Sequence, residues 1–313
     1  MYTEKFTAMG TTITIRIAKQ TLSKLEGDAI LSMVKRQIEL YEAIFSRFRE
    51  DSELNRINQH PGTWQSVSPS LGQVLRLGKE AHAFTGGQFN PCMGLTMQAI
   101  GYDRSFEQLA FAKEDDDRKT THPIKRKVLE PQYDGENRYL LTSDNRSVYL
   151  FQDYQIDLGG IAKGFIVEQV AKQLQQQGLY HFLINAGGDM VCQGLADGQP
   201  WQIGISDPQA PNQAILTLNV DSHCVATSGS YRRTWSQEGQ LVHHLIDPKT
   251  GASSQSDILS CTVVASSLVK AEVFAKTGLL LGSKQAPRWL AQQSITGWVL
   301  INKKGEVNHS WIN

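Results

Sequence analysis

"YQIDLGGIAKGFIVEQVAKQLQQQGLYHFLINAGGDMVCQG" (residues 154–194) carries two hydrophobic periods side by side. An apolar strand is expected near 154–157, then a turn at Gly159 and Gly160. After it Ile161, Phe165, Ile166, Val170 and Leu174 recur at the spacing of a helix over about 161–177. No second helix follows the next strand, as it would in an alternating α/β chain. Instead two strands come in succession, near 181–185 and 190–194, with the glycine turn of NAGGD after the first. The same mixture extends to both sides. TTITIRIA (11–18) alternates with period two and puts Ile13, Ile15 and Ile17 on one face. A helix is expected from Leu22 to Phe45, a short one after SRFREDSELNRIN begins, capped by Asp51 or Ser52, and another over 70–84, stopped by Gly86 and Gly87. Strands are expected near 138–142, 147–151, 201–205, 214–219, 223–227, 241–246 and 259–265, helices near 267–281 and 284–293, and a terminal hairpin. Strands in runs, helices packed on them and no strict alternation predict an α+β fold.

The composition sets wide bounds. A chain of 313 residues buries a large core as one large domain or two mid-sized ones. Lys+Arg and Asp+Glu both number 31, so the formal net charge is zero and gives no bulk attraction to nucleic acid or to an acidic membrane. Residues 113–127, KEDDDRKTTHPIKRK, have no apolar period and are expected to be the exposed loop of an insertion (about 103–147) within a single domain spanning 1–313. Cys92, Cys192, Cys224 and Cys261 lie far apart with no CxxC pair, which argues against a zinc cluster or a redox dithiol. Buried reduced thiols are expected, a disulfide being the alternative. The N-terminus alternates too early for a signal peptide, and no run reaches the ~18 apolar residues of a membrane span. The expectation is a cytoplasmic protein with no membrane segment, an exported chain relieved of its leader being the alternative.

Several turns carry chemistry. Gly159 and Gly160 let the backbone approach a ligand, and the helix after them presents free N–H groups to it. Lys163 stands in the first turn of that helix, where the macrodipole disfavours a cation unless an anion is close. A diphosphate would reconcile the charges. NAGGD (185–189) is a second glycine turn with Asn185 and Asp189 at its ends. ATSGSYRR (226–233) offers the hydroxyls of Thr227, Ser228 and Ser230 around Gly229. HLIDPKTG (244–251) places His244 three residues before Asp247. Each is also an ordinary turn composition when taken singly.

Taken together with MGTT (9–12), FSRFREDSELNRIN (45–58), GGQFNPCMG (86–94), WQIGISDP (201–208) and TVVASSLVKAEVFAKTGLLLG (262–282), these motifs resemble the ApbE family, in its order and over nearly the whole chain. The resemblance implies an α+β fold of two tandem related halves with a flavin nucleotide in a long cleft between them. It implies FAD:protein FMN transfer: the FAD diphosphate is split, FMN is joined by a phosphoester to a Ser or Thr of a target protein, and AMP leaves. FAD diphosphatase activity, or flavin binding without turnover, are the alternatives. It implies that the carbonyl of Ala162 ligates Mg²⁺, that Lys163 neutralises charge on the phosphate, that His244 is the base and that Phe48 supports the flavin ring. Met9, Asn90, Gly159, Gly160, Gly187, Gly188, Asp189, Thr227, Ser228, Gly229 and Asp247 complete the expected nucleotide site.

The chain departs from the family pattern on the late helix. Where the family has metal-binding Asp and, four residues on, Thr, this chain has Glu272 and Lys276. Glu272 remains a hard donor, whereas a charged lysine offers no lone pair. Either the Lys276 ammonium stands in the metal's place and pairs with Glu272, or Mg²⁺ still binds through fewer ligands, or the site is degenerate. Asn90 replaces an Asp found in many relatives. DPKTGAS (247–253) also matches the short pattern around flavinylated hydroxyls, which would make Ser253 an acceptor; an accidental overlap is the expectation.

Overall fold

The computed structural model describes residues 1–18, 23–104, 138–237 and 240–311. The charged loop expected at 113–127, and most of the insertion around it, lies outside the described residues.

In chain order the described elements are β1 (Tyr2–Ala8), β2 (Thr11–Ile17), α1 (Lys24–Phe45), α2 (Glu53–Gln59), β3 (Trp64–Ser66), α3 (Pro69–Phe84), α4 (Gly94–Ala99), β4 (Tyr139–Leu141), β5 (Ser147–Leu150), α5 (Ala162–Gln176), β6 (Phe182–Ala186) and β7 (Asp189–Gln193). There follow β8 (Trp201–Ser206), β9 (Ala214–Val220), β10 (Cys224–Gly229), β11 (Thr234–Gln237), β12 (Gln240–His243), β13 (Ile246–Asp247), β14 (Ala252–Ser253), β15 (Ile258–Ala265), α6 (Leu268–Ala291), β16 (Gly297–Asn302) and β17 (Val307–His309). The fold is α+β, as the run of consecutive strands predicts. The chain forms two compact units, one of residues 1–43, 159–229 and 256–313, the other of 44–158 and 230–255.

The first unit is built on an eight-stranded sheet in the order β1-β2-β6-β7-β10-β15-β16-β17, antiparallel at every pair. Ile13, Ile15 and Ile17 of β2 are fully buried, as their alternation predicts. The β8–β9 ribbon lays Trp201, Ile203, Ile205, Leu218 and Val220 against Leu183, Val225, Val264, Val299 and Ile301 of the sheet. Helix α6 packs on β10 and β15, and α5 packs on α6. Every residue of β15 from Ser260 to Ala265 is buried, the pattern of a strand covered on both faces.

Two helices are expected at the end of the chain, and α6 does break, at Gly282 (φ 73°, ψ 171°). The Asp257 carboxylate accepts the Ser283 N–H at 2.9 Å and also the Ser283 hydroxyl, so the second segment starts with its own cap. Those bonds hold the Asp257 carboxyl below its ordinary range. β1 has no counterpart in the expected strands. It is an edge strand of the sheet, its residues alternating half-buried and exposed, so its apolar alternation is weak.

The second unit holds α2, α3, α4, a three-stranded sheet β3-β5-β4 and the hairpins β11–β12 and β13–β14. Ser52 caps α2, accepting the Asn55 N–H at 3.0 Å. The strand expected at 154–157 does not form. Its backbone groups are taken elsewhere: the Asn58 side chain binds both the N–H and the carbonyl of Ile156 (2.8 and 2.9 Å), Gly94 N–H goes to Gln155, and Asp157 N–H to Pro91. A strand satisfied by a side chain and two loops needs no sheet neighbour. The strand expected over 241–246 is interrupted at His244 and Leu245, between β12 and β13.

The four cysteines are free and buried. Burial pushes the Cys92 and Cys224 thiols up to about 12, so neither is a thiolate near neutral pH. Among the described residues, no helix is long and apolar enough to cross a membrane.

One substitution tests the geometry of the first unit's turns. Gly187 has φ +67°, and a Cβ there would lie 2.1 Å from Thr11 Oγ1. Gly187→Ala is expected to destabilise the protein by at least about 2 kcal/mol, from strain plus the displaced threonine. Urea unfolding monitored by circular dichroism reads this directly, and a change below about 0.5 kcal/mol would contradict it.

Candidate active site

The first unit gathers its candidate residues at one end of the sheet. β2 and β6 pair Ile13 with Ala186, and β6 turns through Gly187 and Gly188 into β7, which begins at Asp189. The Gly188 N–H donates to the Asn185 side chain at 2.8 Å, which closes that turn. Met9 makes the β1–β2 turn with φ 53°, and its N–H donates to the Glu42 carboxylate at 2.6 Å. Strand β10 runs past Asp189 to Thr227, Ser228 and Gly229. The Thr227 N–H donates to Asp189 Oδ1 at 3.4 Å, and its hydroxyl meets that of Thr262 at 2.9 Å.

Lys163, second residue of α5, is the centre of this end. Its ammonium pairs with Asp189 Oδ2 and lies 3.5 Å from Glu272 Oε1. The other Glu272 oxygen accepts the Gly164 N–H at 2.9 Å. Ile161, the N-cap of α5, supplies no side-chain cap, so the acceptor at that helix start comes from α6. This explains a lysine in a first helical turn: two carboxylates on neighbouring elements outweigh the macrodipole. Asp189 and Glu272 are nearly buried, with side chains 4% and 6% exposed. Two carboxylates thus share the one Lys163 ammonium at this helix start. Gly164 is required here by proximity, since a Cβ would stand 2.9 Å from Glu272 Oε2 and 3.1 Å from the Leu268 backbone. Ala162 is buried beside them, Lys276 sits one turn beyond Glu272 and is half-buried, Gly159 is exposed and Gly160 half-buried. Sequence spacing puts Lys276 on the same helix face as Glu272; the tertiary fold sets Lys163 beside Glu272.

The second unit carries His244, Phe48, Asn90 and Asp247. His244 is half-buried at the interruption between β12 and β13, and its ring meets the Tyr102 ring edge-on at 6.5 Å. Tyr102 stacks on Trp235 (5.4 Å, 25°) and contacts Phe48 (5.7 Å). Trp235 donates its indole N–H to the Ile100 carbonyl at 2.8 Å. Phe48 remains 41% exposed, an unusual setting for a core aromatic and a suitable one for a ring that stacks on a ligand. Arg47 lies against Phe48 and Tyr102 (4.1 and 4.6 Å), binds Asp157 at 3.1 Å and donates to the Tyr102 carbonyl at 2.7 Å. Asn90 is buried and accepts the Cys92 N–H at 2.8 Å, while Asp247 accepts the Lys249 N–H at 2.9 Å; both order their own turns. The Ser253 hydroxyl is buried and bound at both ends to the His243 backbone, a poor acceptor for modification.

Arg47, Tyr102, Trp235 and Asp157 join the second unit's aromatic group, Tyr102 and Trp235 without a sequence signal of their own. Trp235 is separated from Tyr102 by more than a hundred residues, and neither lies in a periodic segment. Arg47 and Asp157 both lie within motifs quoted above, although nothing in the sequence pairs them.

The ApbE family matches residues 9–299 of the chain. The FAD:protein FMN transferase of Vibrio cholerae serotype O1 is 28% identical over 300 residues, covering 94% of this chain and 85% of that protein. The FAD:protein FMN transferase of Klebsiella pneumoniae is 23% identical over 305 residues, covering 95% and 84%. Among solved structures, the ApbE protein of Thermotoga maritima superposes with a TM-score of 0.83 at 24% identity, covering 99% of this chain and 96% of that one. The flavin transferase ApbE of Vibrio cholerae gives a TM-score of 0.80 at 23% identity, covering 98% and 96%. At these identities the superpositions carry the fold.

Proposed function

The chain belongs to the ApbE family, and from that premise we propose that it is an FAD:protein FMN transferase. The observation that carries this reading is the cluster of Lys163, Asp189 and Glu272 at the start of α5, a charged group built for a phosphate and its cation. The relatives' names, FAD:protein FMN transferase, supply the substrate that such a group would meet.

The reaction joins a hydroxyl to phosphorus. The oxygen of an acceptor Ser or Thr attacks the phosphorus on the FMN side of the FAD diphosphate. The bond from that phosphorus to the bridging oxygen breaks, AMP leaves with the bridging oxygen, and the hydroxyl proton passes to His244. An imidazole suits that task because its ordinary pKa lies near neutral pH. Lys163 offsets the negative charge that gathers on the phosphoryl oxygens, a role for a fixed, prepositioned charge. Phe48 offers its exposed face to the isoalloxazine ring.

The family resemblance assigns a hard divalent cation to Glu272 and the carbonyl of Ala162, and the buried Glu272 carboxylate is a donor of that kind. Those two residues would hold Mg²⁺, which would supply further charge neutralisation for the diphosphate. Lys276 contributes no lone pair, so the site has one ligand fewer than the family pattern and a lower affinity is expected.

Chromatography of the products tests the function. FAD turnover is expected to give AMP together with protein-linked FMN. AMP with free FMN would mean that water is the acceptor, and intact FAD would mean binding without chemistry. EDTA is expected to suppress AMP release, and Lys276→Thr to lower the Mg²⁺ concentration needed for half-maximal rate. Turnover indifferent to EDTA would instead assign the cation's place to a lysine ammonium.

A further inference from the structure

The corner that carries His244 is fastened on both sides by its neighbour. The His243 ring points Nδ1 at the Leu245 N–H, 3.3 Å away, and Nε2 at the Ser254 carbonyl, 3.0 Å away. One contact requires an acceptor nitrogen and the other a donor, so this ring is the neutral tautomer with its proton on Nε2. The His243 backbone is held as well: its N–H donates to Ser253 Oγ at 3.0 Å, and the Ser253 hydroxyl donates back to the His243 carbonyl at 2.8 Å. On the far side of His244, the Ser254 N–H donates to the Leu245 carbonyl at 2.9 Å. Residues 243 and 245 are thus both tied to the 253–254 segment, and His244 is the single residue between them. The chain leaves strand geometry at this point, between β12 and β13, where nothing in the ladder itself would fix a side-chain direction.

We propose that His243 is a positioning residue for His244: its neutral ring, together with the Ser253 hydroxyl, locks the corner so that the His244 imidazole is held in one orientation before substrate arrives. The proposal rests on the reading of His244 as the base that accepts the hydroxyl proton. It says that the paired histidines have separate tasks, one meeting the substrate and the other setting the backbone. A base misplaced by about 1 Å loses on the order of 10²-fold in rate, so the lock acts on turnover while leaving FAD affinity alone.

The test is a double-mutant cycle on the full-length protein, with AMP release from FAD as the rate and flavin fluorescence as the binding readout. His243→Ala is expected to lower kcat by about tenfold or more with the Kd for FAD within threefold of wild type. In a His244→Ala background the same substitution is expected to change kcat by less than twofold, because a lock has no effect once the locked group is gone. His243→Asn keeps an acceptor for the Leu245 N–H and is expected to recover most of the lost rate, and Ser253→Ala supplies the same cycle if His243→Ala does not fold. Equal losses from His243→Ala in the presence and absence of His244 would overturn the proposal, since His243 would then act independently. A His244→Ala variant as active as wild type would overturn the underlying reading of His244 instead.

Discussion

His244→Ala is expected to slow FMN transfer by about 10²–10⁴-fold, the usual contribution of a positioned general base, with the fold and FAD binding retained. The side chain is half-buried and stands at an interruption between short strands, so its removal leaves no large void. Its ring contact with Tyr102 is an edge contact at 6.5 Å, while Tyr102 keeps its stack on Trp235 and its contact with Phe48. The loss therefore belongs to kcat. Single-turnover AMP release measures it, and thermal unfolding checks that the variant is intact. A loss confined to KM would mean that His244 binds substrate without moving a proton.

Lys163→Met combines a chemical and a structural loss. In the wild type one ammonium serves two nearly buried carboxylates, Asp189 and Glu272. Methionine fills much the same space but leaves both carboxylates without that ammonium. Breaking a buried ion pair from one side costs about 3–5 kcal/mol. The lysine side chain is 23% exposed, so water offsets part of this and the lower end of that range is expected. The rate should fall by about 10²–10³-fold, the effect of deleting one preorganised electrostatic contact in a transition state. Lys163→Arg keeps the charge and is expected to retain most of the stability while losing rate, because the guanidinium places its charge differently. Urea unfolding and AMP release separate the two losses. A variant stable within about 1 kcal/mol would show that the carboxylates do not depend on this ammonium.

Which parts could be read in the sequence follows from where the forces act. Period-two alternation exposed β2, because Ile13, Ile15 and Ile17 meet a core on one side only. Period 3.6 exposed α5, whose Phe165, Ile166, Val170 and Leu174 are buried. The segment at 154–157 misleads for an equally physical reason: its Ile156 is buried, but Asn58 from α2 takes the backbone groups a sheet neighbour would have used. Among the candidate residues, Lys163, Asp189 and Glu272 stand in motifs that single them out. That they meet is a matter of tertiary structure, since 26 residues separate the first pair and 109 the outer pair (189 − 163 and 272 − 163). The lock on His244 was invisible for the opposite reason. His243, Ser253 and Ser254 are close in sequence, but hydrogen bonds inside an irregular corner leave no period to detect.

The most direct test of FMN transfer is to follow the phosphorus. FAD labelled with ³²P at the FMN phosphate is incubated with the protein, Mg²⁺ and an acceptor protein bearing an accessible Ser or Thr, and the label is partitioned by chromatography and gel. The account predicts that label appears on the acceptor in molar balance with AMP released, and that His244→Ala prevents both. Label recovered only in free FMN, or in unreacted FAD, would contradict it.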